Sequence, residues 1–267
     1  MVATVKKAGT DLHKAVNSME IKGKIAIVTG GSRCIGRAIS LMLAKKGVQI
    51  AIFDLDEDKG KKVSSEIREL GRNSCFCKVD ISSTEEISCA VDKLKNDFGT
   101  PQILVNNATV DFAVRKGGIE DITESIWDKI MAVNVKGAFF MAKKIFPYMK
   151  AEGGKIINIT SVTAQTGSVF GQIGYVTSKA ALIGMTRALA LEGAKYNITV
   201  NAVAPGLVRT ELLGDRVGKE KLAEMVKNVP LERPAEMEEV AEAVVFLCSN
   251  DYMTGQTLYV CGGSYFS

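Results

Sequence analysis

The chain has 267 residues, 46 % of them hydrophobic and 24 % charged, with a formal net charge of only +4, six cysteines and one histidine. So mild and dispersed a positive charge argues against a nucleic-acid partner, whose phosphates need a clustered basic face, and no apolar run approaches the ~18 residues that cross a bilayer. The lone His13, in an N-terminal stretch, removes histidine acid/base catalysis, and without a CxxC pair neither a zinc site nor a disulfide framework is expected, so no metal is assigned.

Residues 1–20 read as an N-terminal extension, either a short helix behind Thr10 carrying Leu12, Val16 and Met19 or a frayed tail. Lys6 and Lys7 precede no hydrophobic segment, so no secretory signal is expected, and reduced thiols place the chain in the cytoplasm. From Lys24 the pattern alternates strand and helix. "KIAIVT" is a short β-branched run of the kind buried in parallel sheets. Ile35, Ala38, Ile39, Met42 and Leu43 then mark one helix face, which Gly47 ends. "VQIAIFD", "SCFCKVD", "QILVNN", "GKIINIT", "NITVNAVAPG" and "QTLYV" are further strands. Helical patterns separate them, with two at roughly 123–151, a long one at 175–193 and one near 236–249. This alternation predicts an α/β fold, a doubly wound parallel sheet of about seven strands with helices on both faces. Residues 21–267 form one catalytic domain in this reading.

The loop "TGGSRCIG", Thr29–Gly36, lies between a strand and a helix, the context a dinucleotide site requires. Gly30 permits the tight turn, Gly36 allows close helix–strand packing, and N–H groups at the helix start, among Ser32, Arg33, Cys34 and Ile35, can receive a pyrophosphate. Cys34 stands where a third glycine would be expected. It is read as the first residue of the helix at an ordinary negative φ, its side chain turned from the phosphates. Asp54 ends the second strand; a carboxylate there accepts both adenosine-ribose hydroxyls and repels a 2′-phosphate. Arg33 opposes it as a possible partner of that phosphate, yet with Asp54 facing it NAD is favoured over NADP. In "YVTSK", Tyr175 and Lys179 lie i, i+4 on one helix face. A phenol has a reference pKa of about 10, and a nearby ammonium favours its phenolate, which makes proton exchange feasible near neutrality. Ser161, closing the fifth strand, can hydrogen-bond a substrate oxygen.

With these residues in place, the chain resembles the short-chain dehydrogenase/reductases, in the single-domain branch of 3-oxoacyl-thioester reductases and secondary-alcohol dehydrogenases. The matching elements are "TGGSRCIG", Asp54, Asp80, "NNA" at 106–108, Asn134 in "NVKG", Ser161, "YVTSK" and "PGLVRT", in family order over about 22–263. The resemblance implies that Tyr175 is the general acid/base, that Lys179 lowers its pKa and binds the nicotinamide ribose, that Ser161 orients the carbonyl, and that Asn134 holds a water of a proton relay. It further implies that Asp80 meets the adenine, that the "NNA" backbone from Asn106 to Ala108 lines the cofactor, and that Pro205, Gly206, Val208 and Thr210 hold the carboxamide. For Asn106 and Asn134, tying strands and a helix kink together is the competing reading. The pattern departs from the family at Cys34, at Thr109 and Cys261, and in a longer loop between Ser161 and Tyr175.

The main expectation is an NAD-dependent oxidoreductase acting on a secondary alcohol or ketone. An NADPH-dependent 3-oxoacyl-thioester reductase is the alternative, and a dinucleotide-binding protein without turnover the more remote one. Leu207, Leu212, Leu213, Val217, Leu222, Met225 and Val226 mark 207–229 as a lid. A homotetramer is expected because Ala138, Phe139, Met141, Ala142, Ile145, Phe146 and Met149 offer more apolar surface than one sheet contact uses.

Overall fold

The five residues of β1, Ile25–Thr29, are all buried, as a strand covered on both faces must be. The computed structural model describes residues 19–110, 119–168, 172–211 and 218–267. The appendage up to residue 18 with His13, the loop residues 169–171 and the lid residues 212–217, with Leu212, Leu213 and Val217, lie outside the described residues.

After β1 come α1 (Cys34–Lys45), β2 (Gln49–Asp54), α2 (Glu57–Glu69), β3 (Ser74–Lys78), α3 (Thr84–Asp97) and β4 (Ile103–Asn106). Then follow α4 (Glu124–Met131), a π-helical segment (Ala132–Gly137), α5 (Ala138–Met149), β5 (Gly154–Ile159) and the one-turn α6 (Thr163–Thr166). The chain continues through α7 (Ile173–Gly193), β6 (Ile198–Pro205), α8 (Lys219–Lys227), α9 (Met237–Ser249) and β7 (Thr257–Val260). All seven strands run parallel in the order β3-β2-β1-β4-β5-β6-β7. The α/β doubly wound sheet expected from the alternation is the one observed.

Strand alternation divides the interior into two cores. Ala26, Val28, Ile50 and Ile52 face α1, α2 and α9, where Ile39, Leu43, Ile67, Val240 and Val244 meet them. Ile27, Ala51 and Phe53 face the opposite side, with Val91 of α3, Met141 and Ile145 of α5 and Ala190 of α7. Strand order reverses between β1 and β4, so the loops after these two strands diverge and leave the crevice where such sheets bind ligands.

Two expectations are corrected here. Of the seven apolar residues assigned to an oligomer face on α5, six are buried in the chain's own core, and only Phe139 stays open, at 41 % exposure. That helix is apolar because it fills the gap between the sheet and α3. The second correction concerns Cys34, whose φ is +45°, left-handed rather than the expected negative value. Arg33, just before it, is extended, with φ −153°. The chain must therefore reverse at residue 34 to enter α1. The reversal seats Gly36 against Gly30, where a Cβ on Gly36 would lie 2.0 Å from the Gly30 carbonyl oxygen. Left-handed backbone costs a residue with a Cβ roughly 1–2 kcal/mol, which packing of the loop must sustain.

Candidate active site

The crevice is built from strand ends. Thr29 closes β1, and its hydroxyl accepts the N–H groups of Asn107 at 3.0 Å and Ala108 at 3.1 Å while donating to the Val105 carbonyl at 3.3 Å. The Asn107 amide donates to the carbonyls of Thr29 and Gly30, both at 3.0 Å. A Cβ on Gly30, whose φ is +63°, would approach Ala108 Cα to 2.9 Å, so glycine is required there for both space and conformation. Thr29 and Asn107 thus splice the glycine loop to the end of β4. The splicing role of neither side chain was singled out from the sequence, although a polar residue closing an apolar strand run is the signal that marks Thr29.

Helix α1 starts at this loop, runs twelve residues and has no acidic side chain in its first turn. Its first N–H groups lack intrahelical acceptors, and the positive end of its dipole faces the crevice. Asp54 closes β2 beside the loop. Its Oδ2 accepts from the Ser32 N–H at 3.1 Å and from the Ser32 hydroxyl, and its Oδ1 accepts the Asp56 N–H at 3.1 Å. The carboxylate is therefore already fixed in orientation. Arg33 is exposed, and it contributes to holding the Asp56 carboxyl below its usual value, after hydrogen bonding from Lys59. A donor set of this kind fits an anionic pyrophosphate with a neighbouring diol, the two features of a nicotinamide dinucleotide.

Asp80 lies past β3, its Oδ1 accepting the Ser82 N–H at 2.9 Å and hydroxyl at 2.7 Å. Partial burial would raise its carboxyl, but the Ser82 bonds and Lys129, 3.7 Å away, outweigh that and lower it. Asn106 turns inward: its amide donates to Asn158 Oδ1 at 2.9 Å and to the Ala138 carbonyl at 3.2 Å, tying β4 to β5 and α5. Its own Oδ1 is buried without a protein partner.

The other half of the crevice lies beyond β5. Asn134 sits in the π segment, a helix form that recurs at functional sites. Its Oδ1 accepts the Val110 N–H at 2.8 Å, and its Nδ2 donates to the Val110 carbonyl and to Ser178 Oγ, both at 3.0 Å. Both amide donors are thus engaged. Ser178 passes the link on, donating to the Tyr175 carbonyl at 2.7 Å. On α7, Lys179 is buried, and its ammonium donates to the Ile159 carbonyl at the end of β5 at 2.8 Å. The same nitrogen lies 5.5 Å from the centre of the half-buried Tyr175 ring. Ser161 follows β5 by two residues, and its Oγ accepts from the Thr163 N–H and hydroxyl.

The Pro205 carbonyl accepts the Val162 N–H at 2.9 Å, which joins the end of β6 to the Ser161 turn. A Cβ on Gly206 would meet Cys261 Cα at 2.8 Å, so the two loops touch main chain to main chain. Val208 is buried and bridges Ala235, while Thr210 is half-buried further out. Ser178, Thr163 and Asn158 were missed in the sequence because each acts by supporting a neighbour. No group of three or more potential metal ligands occurs among the described residues, and none of their helices is long and apolar enough to cross a membrane.

An anion-receptive glycine loop at the switch point of a doubly wound parallel sheet defines a dinucleotide-binding α/β protein. Comparison with known proteins is consistent with that class and narrows it. Residues 30–265 match a family model described as enoyl-(acyl carrier protein) reductase. The chain is 36 % identical over 246 residues to a 3-oxoacyl-[acyl-carrier-protein] reductase of Staphylococcus aureus, covering 91 % of this chain and 98 % of that protein. Among solved structures, an NAD+-bound xylitol dehydrogenase superposes with a TM-score of 0.86 at 30 % identity, over 92 % of this chain and 100 % of its own. A blue fluorescent protein from a metagenomic library, in complex with NADPH, has the same TM-score of 0.86 at 32 % identity, over 93 % and 100 %. The chain belongs to the short-chain dehydrogenase/reductase family of oxidoreductases.

Proposed function

We propose that this protein is an NAD-dependent oxidoreductase of secondary alcohols and ketones in which Tyr175 exchanges the proton. The observation that carries the proposal is the buried Lys179 ammonium, anchored on Ile159 and 5.5 Å from the Tyr175 ring, one turn of α7 away. A cation there favours the phenolate, so Tyr175 can take the proton of an alcohol or return it to a ketone oxygen. Ser161 holds the same oxygen by a hydrogen bond. Asn134 fixes the turn carrying Tyr175 through Ser178 and holds the water that links Lys179 to a proton relay. When bound, the nicotinamide supplies the hydride acceptor or donor.

The N–H groups at the start of α1, from Arg33 through Cys34 and Ile35 to Gly36, hold the pyrophosphate, while Ser32, whose N–H and hydroxyl go to Asp54, ties the loop to the ribose site. Asp54 takes the adenosine ribose, Asp80 the adenine edge, and the main chain from Asn106 to Ala108 the middle of the cofactor. Lys179 holds the nicotinamide ribose, and Pro205, Gly206, Val208 and Thr210 hold the carboxamide end. NAD is the preferred form because the fixed Asp54 carboxylate repels a 2′-phosphate. In this reading 21–267 act as one catalytic unit with 207–229 as its lid. The protein assembles as a homotetramer, which the exposed Phe139 on α5 and Leu191 on α7 support in place of the buried α5 face.

A second reading, an NADPH-dependent 3-oxoacyl-thioester reductase, is favoured by the Staphylococcus aureus relative and by the exposed Arg33. A panel of cyclic and acyclic secondary alcohols, their ketones and a 3-oxoacyl thioester, each with both cofactors, decides between them. Faster NAD-linked alcohol oxidation supports the first reading, and NADPH-linked thioester reduction alone supports the second.

A further inference from the structure

The Ser161 hydroxyl is held from one side. Thr163 donates to its oxygen twice, through its main-chain N–H at 3.2 Å and its own hydroxyl at 2.9 Å. A serine oxygen has two acceptor lone pairs and one proton, so these two bonds fill its acceptor capacity. The Ala164 N–H bonds the Ser161 carbonyl at 3.1 Å, which fixes the spacing between the two residues. With Ser161 only 8 % exposed, water has little access to rearrange the pair.

We propose that Thr163 is a positioning residue that commits the Ser161 hydroxyl to donating, and never accepting, toward the substrate oxygen. The proposal rests on the assignment of Ser161 made above. Its chemical consequence is directional. An alcohol oxygen that already receives the Ser161 proton as a hydrogen bond has only one acceptor for its own proton, the Tyr175 phenolate. In the reverse direction a ketone oxygen meets two donors, Ser161 and Tyr175. Of these two donor O–H bonds only that of Tyr175 breaks: a bound dihydronicotinamide would supply the hydride to the carbonyl carbon and Tyr175 the proton to its oxygen, leaving the alcohol and the phenolate. An unconstrained Ser161 could instead accept the alcohol proton as a hydrogen bond, an unproductive arrangement because a neutral serine cannot pass that proton on. Thr163 removes it.

The same bonds also close the turn that leads into the four-residue α6, and a purely structural role would move only stability. The test uses the full chain, with the fastest alcohol or ketone of the panel. Thr163→Val should lower kcat about tenfold, a fraction of what loss of a direct donor to the reacting oxygen costs, with KM and the NADH Kd within about twofold. Thr163→Ser, which keeps the hydroxyl, should recover most of the rate. In a Ser161→Ala background the valine should add less than about twofold, because Thr163 acts through Ser161. An equal loss of kcat in both backgrounds would overturn the proposal. So would an unchanged kcat in Thr163→Val while Ser161→Ala is severely impaired. If Ser161→Ala itself stays within about tenfold of the parent, the assignment of Ser161 is what fails. Should the valine variant not fold, Thr163→Ala removes the same hydroxyl without the branched methyls and is read in the same way.

Discussion

Replacing Cys34 with glycine should stabilise the protein, although it removes a side chain from a partly buried position. The left-handed φ of +45° is open to glycine and strained for cysteine. That strain amounts to roughly 1–2 kcal/mol, and glycine's greater freedom in the unfolded chain returns about 0.5–1 kcal/mol of it. The net gain is therefore on the order of 0.5–1 kcal/mol, or about 1–4 °C in Tm for a chain of this size. Cys34→Ala is the control, since it also loses the sulfur but keeps the Cβ and the strain. Urea unfolding and thermal melts of the three proteins, without cofactor and under reducing conditions, give the comparison. Alanine equal to or more stable than glycine would refute the reasoning, because the conformational term is the one quantity separating these two variants.

Asp54→Ala removes the carboxylate that opposes a 2′-phosphate, so the ratio of NADP to NAD turnover should rise by about tenfold or more in initial-rate assays. Lys155 is 1 % exposed, and its ammonium bonds Asp251 at 2.6 Å and the Asn250 carbonyl at 2.9 Å. Asp251→Ala, which strands that buried charge, should cost about 3 kcal/mol in urea unfolding. Lys155→Met should cost less, since Asp251 is nearer the surface and regains water. Hydrogen bonding from Arg233 holds the Glu239 carboxyl at about 2, below its ordinary 4.5. A lowered folded value contributes stability above the ordinary one and loses it as pH falls from about 4.5 toward 2. The gap in urea midpoint between the parent and Arg233→Gln should accordingly close over that window.

Much of the fold was legible because parallel strands covered on both faces leave unambiguous apolar runs, and glycine-marked ends separate them from helices. "KIAIVT" and "NITVNAVAPG" each became the expected strand, β1 and β6. The α7 pattern placed Tyr175 and Lys179 one turn apart, as an i, i+4 pair must be. Two things did not show. Apolar residues on α5 look alike whether they meet the sheet, α3 or another subunit, so their number alone wrongly suggested surplus surface. The conformation of Cys34 was also hidden, because a cysteine in a glycine's place gives no sign whether the chain straightens or the cysteine accepts the left-handed turn. Support residues such as Thr163 and Ser178 were illegible for a different reason. Their hydroxyls act on neighbours brought close only by the tertiary fold, as when Ser178 meets Asn134 across 44 positions of sequence.

The central claim is that Tyr175 carries the proton while the rest of the site holds the cofactor independently. Tyr175→Phe tests it most directly, because it deletes one oxygen and leaves the ring, Lys179 and the glycine loop in place. Alcohol-dependent NADH formation and NADH binding by fluorescence titration should be measured on the same preparation. The account predicts a loss of turnover of about a hundredfold or more with an NADH Kd within about threefold of the parent. Turnover within tenfold of the parent would contradict it.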